Sequence, residues 1–237
     1  MEMYHLGLVL PSTNIVMEPE FWRICSDFAA LHVSRMRIKD VSPEGLEAME
    51  NEAIDAALRL ADARVDVIGY GCTSGSFYRG VGHDREIVEK IENATGIPAV
   101  ATAGAVVDAL KTLEVRRVSV ATPYSEEINE LEKSFLEGYG FTVDVIKGLG
   151  YRDPYRIGLI PASQIYELGK ETYMETSDAL FISCTDVRTF DILDKLEGEV
   201  GKPVISSNSA TLWAMMKRLK INRRIDGLGI LLRTLRE

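Results

Sequence analysis

Two hydrophobic runs in this chain end on a cysteine followed by threonine: Val67-Ile-Gly-Tyr-Gly-Cys72-Thr73-Ser74 and Ala179-Leu-Phe-Ile-Ser-Cys184-Thr185-Asp186. A thiolate is a strong nucleophile and a thiol can give up its proton. Two of them facing one substrate could therefore add to an alkene, or carry protons to and from a carbon beside a carboxylate. A lone free cysteine at a strand end is ordinarily a packing residue. The matched pair argues otherwise, because other segments recur at a similar separation. Gly96-Ile-Pro98-Ala-Val-Ala is echoed by Gly201-Lys-Pro203-Val-Ile-Ser, and Leu6-Gly-Leu-Val-Leu-Pro11 by Arg117-Val-Ser-Val-Ala-Thr-Pro123. Such self-similarity marks a diverged internal duplication. Packed about a pseudo-twofold axis, the halves would bring Cys72 and Cys184 to equivalent positions at the cleft between them. Cys25 has no such partner and falls in the amphipathic stretch Glu20 to Phe28, so it reads as structural.

The elements that must hold these thiols alternate in type. Short Val/Ile/Leu/Ala runs predict strands at Leu6 to Leu10, Ala30 to Met36, Val65 to Tyr70, Ala99 to Ala101, Val118 to Ala121, Thr142 to Ile146, Ala179 to Ile182 and Val204 to Ser206. Longer segments of helical periodicity lie between them. Ser42-Pro43-Glu44 opens one helix predicted through Leu46 to Ala63, with serine as cap, proline at the first position and acid in the first turn. An acid-rich first turn after Ser125 starts another, which Gly138 is expected to stop, and Glu126, Glu127, Glu130 and Glu132 read as its solvated face. The expected fold is α/β: two Rossmann-like lobes with parallel four-stranded sheets related by pseudo-twofold symmetry, and an active site between them. The repeat sets the lobes at residues 1–114 and 115–207, with a C-terminal helical segment, 208–237, packing back on the first. Ligands of open α/β sheets sit beyond the carboxyl ends of the strands. Four strands end there in small polar residues: Pro11-Ser12-Thr13-Asn14, Cys72-Thr73-Ser74, Thr122-Pro123-Tyr124-Ser125 and Cys184-Thr185-Asp186.

Bulk properties exclude several classes. A net charge of −9 with no long Lys/Arg run argues against a nucleic-acid surface, since phosphate binding needs clustered cations. No apolar run approaches the ~20 residues of a membrane span. The N-terminal residues lack a basic region and a cleavage site, which predicts a cytoplasmic protein. Three widely spaced cysteines fit neither a disulfide framework nor a zinc site. His5, His32 and His83 show no triad or metal spacing, and His83 reads as a surface residue ahead of a helix. Homo-oligomerisation is left open.

Pro11-Ser-Thr-Asn14 with Met17-Glu18, Gly71-Cys72-Thr-Ser-Gly-Ser76, Thr122-Pro-Tyr124, Ser183-Cys184 and Gly201-Lys-Pro-Val-Ile-Ser-Ser together resemble the maleate cis-trans isomerase and arylmalonate decarboxylase branch of the aspartate/glutamate racemase superfamily. The resemblance runs over nearly the whole chain. It implies two Rossmann-like lobes, no metal, no organic cofactor, and chemistry beside the carboxylate of a small acid. Ser76-Phe-Tyr-Arg-Gly80 is very like the decarboxylase, but that enzyme keeps only the second cysteine, whereas this chain has both, as do the isomerases and racemases. By resemblance Cys72 is the nucleophile, Cys184 the partner acid, and Asn14 a carboxylate ligand. Tyr124 would donate to another carboxylate oxygen. Thr73, Ser74 and the N–H groups of Cys184 and Thr185 would hold an enediolate-like oxyanion. The activity implied is cofactor-independent isomerisation of a cis-enedioate such as maleate. Racemisation of an acidic amino acid, decarboxylation of a substituted malonate, and a non-catalytic carboxylate-binding role like that of ectoine-utilisation relatives are the alternatives. Two departures stand out: Asp153-Pro154 replaces an Asp-Asn pair, and Cys184-Thr-Asp-Val-Arg188 differs from the isomerase pattern. Arg79 and Arg188, each near a cysteine loop, are then candidates for the second carboxylate contact.

Overall fold

Each hydrophobic run named above forms a strand in the computed structural model, which describes residues 3–235. In chain order the first half contains β1 (Tyr4–Pro11), α1 (Met17–Cys25), β2 (Ala29–Met36), α2 (Pro43–Glu50), α3 (Ala53–Asp62), β3 (Val67–Tyr70), α4 (Thr73–Phe77), α5 (His83–Thr95), β4 (Ala99–Ala101) and α6 (Thr102–Thr112). The second contains β5 (Arg117–Tyr124), α7 (Glu126–Gly138), β6 (Thr142–Tyr151), α8 (Pro154–Gly158), α9 (Ala162–Thr172), β7 (Ala179–Ile182), α10 (Leu193–Val200) and β8 (Val204–Ser206), followed by α11 (Ser207–Arg218) and α12 (Ile230–Arg233). Two all-parallel four-stranded sheets result, ordered β2-β1-β3-β4 and β6-β5-β7-β8. In each, strand order reverses at the central pair, β1/β3 or β5/β7, and the chain leaves those four strands carrying Asn14, Cys72, Tyr124 and Cys184.

Central strands covered on both faces read as unbroken apolar runs, and Leu6, Leu8 and Leu10 of β1 and Val118, Val120 and Phe181 of β5 and β7 all lie in the core. Helix α11 returns from the end of the second half to the first sheet. A Cβ on Gly69 of β3 would meet Met215 Sδ of α11 at 2.8 Å, so glycine there lets helix and sheet approach closely. We propose the lobe division at 114/115 on this pattern.

One helix expectation needs correction. The segment through Leu46 to Ala63 is two helices, broken at Asn51-Glu52, where the Asn51 N–H closes the first on Glu47 O. The break lets α2 lie on α4 while α3 turns onto β2 and α5. Helix α7 ends at Gly138 as expected, and the left-handed residue beyond its end is Gly140 at φ 93°. Among the described residues no helix is long and apolar enough to cross a membrane.

Candidate active site

The cysteine loops, the β1–α1 turn and the end of β5 close around one cavity of about 30 Å³, lined by Asn14, Cys72, Thr73, Ser74, Tyr124, Cys184 and Thr185. All seven residues singled out from the sequence thus meet at one place. Asp186, Pro11 and Thr13 complete the strand-end side. The opposite wall is apolar: Ile38 and Val41 come from the loop after β2, and Pro154 and Ile157 from α8. The Val41 N–H donates to Arg152 O across the halves at 3.0 Å, joining the two parts of that wall. The cavity is narrow and partly open to the surface.

Cys72 leaves β3 in extended conformation, φ −141° and ψ 112°, and caps α4. Its Sγ accepts the Gly75 N–H at 3.3 Å and lies 3.8 Å from Ser74 Oγ. Burial pushes the thiol up to about 11, opposed by those two donors. Cys184 differs: its φ is 92°, a region L-residues disfavour, at a cost on the order of 1–3 kcal/mol. Its Sγ accepts the Asp186 N–H at 3.4 Å. Burial, and then the Asp186 charge, hold this thiol well above the usual range, while the neighbouring Tyr124 hydroxyl opposes them. Tyr124 is itself buried and strongly raised, chiefly by desolvation, so it stays a phenol that can donate.

The residues that match a single family run from 6 to 232: the arylmalonate decarboxylase family model covers that span. The chain belongs to the arylmalonate decarboxylase family. Maleate isomerase of Nocardia farcinica is 32% identical over 243 residues, covering 98% of this chain and 97% of that protein. Arylmalonate decarboxylase of Bordetella bronchiseptica is 28% identical over 210 residues, covering 88% and 87%. A solved structure of the Nocardia farcinica maleate cis-trans isomerase, a cysteine-to-serine mutant with a covalently bound succinylcysteine intermediate, superposes with TM-score 0.95 at 29% identity, covering 98% of this chain and 99% of that one.

In this member of the arylmalonate decarboxylase family, the polar groups of the site are tied across the halves. Asn14 Oδ1 accepts the Val16 and Met17 N–H groups, and its Nδ2 donates to Thr185 Oγ1 at 3.1 Å. It therefore caps α1 and reaches the second cysteine loop at once. Thr185 Oγ1 donates in turn to Gly71 O at 3.0 Å. Thr73 Oγ1 donates to Ser207 Oγ at 2.8 Å, and that oxygen also accepts the Cys184 N–H at 3.0 Å. The Cys184 amide, expected as an oxyanion donor, is thus engaged by Ser207. Ser207 was not singled out as a site residue, although the Ser206-Ser207-Asn208-Ser209 run after β8 is another small polar strand end.

Buried carboxyls were also missed. Glu20 of α1 accepts from the N–H groups of Thr189 and Phe190 at 2.7 and 3.0 Å and from Asn208 Nδ2 at 2.7 Å, pinning the far end of the Cys184 loop. Desolvation raises its pKa against those bonds. Glu132 is not solvated: it lies on the buried face of α7 with Ile128 and Phe135, and its Oε1 accepts from Ser183 Oγ at 2.5 Å. Burial pushes it up to about 8. His83 is not a surface residue either; its ring packs edge-on to Tyr78 at 4.9 Å, with Nε2 3.1 Å from Glu50 Oε2. Neither candidate arginine lines the cavity. Arg79 pairs with Glu47 at 2.8 Å, and Arg188 donates to the carbonyls of Gly158 and Ile160. Asp153 caps α8 through the Tyr155 N–H, with Pro154 at the first helical position. Cys25 is core, its thiol pushed up to about 12 by burial.

Proposed function

We propose that this enzyme isomerises a cis-enedioate, maleate in the first instance, by reversible thiol addition, with Cys72 as nucleophile and Cys184 as acid and base. One observation carries the reading: two thiols in unlike environments line the same cavity. The relatives named maleate isomerase, and the succinylcysteine adduct in one of them, support it.

Substrate entry brings an electrophilic carbon to Cys72 Sγ, where Gly75 N–H and Ser74 Oγ stabilise developing thiolate charge. The cycle starts from the Cys72 thiolate, its proton already given up to solvent, and that sulfur bonds to one alkene carbon. The π pair moves to the neighbouring carbon and onto its carboxylate as an enediolate, for which the Tyr124 and Ser74 hydroxyls and the Thr73 N–H are the donors, the Thr73 hydroxyl being held by Ser207. Cys184 protonates that carbon, giving a saturated thioether whose central bond rotates. Its thiolate then takes a proton back, the double bond re-forms in the trans geometry, and Cys72 leaves as thiolate. The second amide hydrogen of Asn14 and the Thr185 N–H anchor one carboxylate, the Thr185 hydroxyl being engaged by Gly71 O.

Intact mass spectrometry after quenching with maleate tests this. The Cys184→Ser protein should carry one substrate mass on Cys72. Absence of both turnover and adduct with maleate, alongside activity on aspartate, glutamate or phenylmalonate, would overturn the reading.

A further inference from the structure

The cavity lining described above contains no lysine or arginine, and its one carboxyl side chain belongs to Asp186. A site for a dianion that offers an acid instead of a cation poses an electrostatic problem. The geometry shows how this chain meets it. Asp186 follows the Cys184 loop into the cavity and is 7% exposed, with Oδ1 accepting the Ile15 N–H at 2.8 Å. On its other side is Gly158 of α8, where a Cβ would lie 2.8 Å from Oδ2 and 3.0 Å from Oδ1. The carboxyl is thus wedged between the β1–α1 turn and the apolar wall made by Pro154 and Ile157, at the end of the cavity where α8 supplies no charged lining residue.

We propose that Asp186 recognises the second carboxylate of the substrate as a neutral carboxylic acid, donating its proton as a hydrogen bond, so that binding a dicarboxylate dianion takes up one proton. This deepens the reading above and rests on it for the identity of the substrate. Two anionic carboxylates in contact at so buried a position would repel, whereas an acid and a carboxylate make a short charge-assisted bond. The groups acting on Asp186 are known: Cys184 and Arg188 on its own loop, Arg35 of β2, itself paired with Glu18, and Cys72 across the cavity. Burial dominates, opposed by the Ile15 and Val16 N–H groups and more weakly by Arg188 and Arg35, and pushes the carboxyl up to about 7. The acid form is therefore available at neutral pH. Keeping it also lowers the negative charge that bears on both thiols.

The sign follows. Above pH 7 a growing share of Asp186 is ionised, and the KM for maleate should rise by up to about tenfold per pH unit. In Asp186→Asn, whose amide keeps both an Oδ1 acceptor for Ile15 and a donor for the substrate, KM should be flat from pH 6.5 to 8.5. A calorimetric titration of the wild-type enzyme with succinate, an unreactive saturated dicarboxylate, supplies a measurement independent of any variant. Run at pH 8 in two buffers of different ionisation enthalpy, it should show uptake of close to one proton, which the Asn variant loses. Maleate turnover without proton uptake, or a wild-type KM independent of pH across this range, would overturn the role of Asp186 and leave the isomerase reading intact. Loss of kcat in the Asn variant at every pH with KM unchanged would overturn it too, by making Asp186 a proton carrier. Failure to convert maleate, with succinate still bound and a proton taken up, would overturn the isomerase reading alone.

Discussion

Cys72 and Cys184 follow equivalent strands, β3 and β7, each precedes a threonine, and the halves then treat them differently. The first thiol sits on relaxed extended backbone at the start of a helix, with an N–H and a hydroxyl aimed at its sulfur. The second is forced to φ 92°, is followed by turns, and has an aspartate two residues on. Burial raises both thiols, but the first setting opposes the anion less than the second does. A duplicated scaffold can therefore supply matched positions while local backbone and neighbours assign unlike chemical tasks. The buried glutamates repeat the lesson. Glu20 and Glu132 are related by the same spacing that relates Pro11 to Pro123, yet Glu20 is held by three N–H donors, whereas Glu132 has Ser183 and leaves Oε2 without a partner among the described residues.

The sharpest break of this comparison is to remove each thiol in turn. Cys72→Ser and Cys184→Ser should each cost several orders of magnitude in kcat without unfolding the protein, but only Cys184→Ser should still form the adduct. Adduct in neither variant would make the two cysteines equivalent after all.

Next in size is Ser207→Ala, which deletes the oxygen shared by Thr73 and the Cys184 amide. Leaving two buried donors unpaired costs ~1–3 kcal/mol of stability each, and the part of that cost felt as displacement of the cysteine loops should lower kcat by about tenfold or more while KM moves little. An unchanged kcat would show that the loops hold their separation without this contact.

Below it comes a pH effect confined to the second half. The folded-state pKa of Glu132 lies above its unfolded value, so its favourable contribution is complete below about pH 4.5 and is lost as pH rises through about 8. Denaturant titrations should show stability declining over that window, and Glu132→Gln should flatten the decline. An unaltered slope would assign the decline to other groups, Asp186 first.

Backbone strain gives the smallest effect. Cys184→Gly should be more stable than Cys184→Ala by about 1 kcal/mol, because glycine adopts positive φ freely. At position 72 the order should reverse by a similar amount. The same sign at both positions would deny that one loop is strained and the other relaxed.

Much of this was legible in the residues. Apolar runs bounded by Gly, Pro and Ser located all eight strands, and the repeat brought the two thiols together. What escaped was mostly polar residues inside the core. Glu132 stands among Glu126, Glu127 and Glu130, where acid reads as solvated, although its spacing from Ile128 and Phe135 places it on their face. Ser207 was hidden because serine after a strand usually means a helix cap, which is the role Ser206 fills here. Asp186 was visible as a departure in the motif, but its meaning depends on Gly158 and Ile15, remote residues that no local pattern brings near. The break at Asn51 likewise answers to two different packing partners.

The unlike walls of the cavity have a consequence for molecules with identical ends. Maleate enters with interchangeable carbons and carboxylates. In the proposed pose, with one end against Asn14 and Thr185 and the other against the side formed by α8, that equivalence is gone, and sulfur would add to only one of the two carbons. For maleate the choice leaves no trace in the product. A methyl group on one alkene carbon would reveal it: the enzyme should accept such a substrate in a single orientation, with thioether formation at one carbon and none at the other.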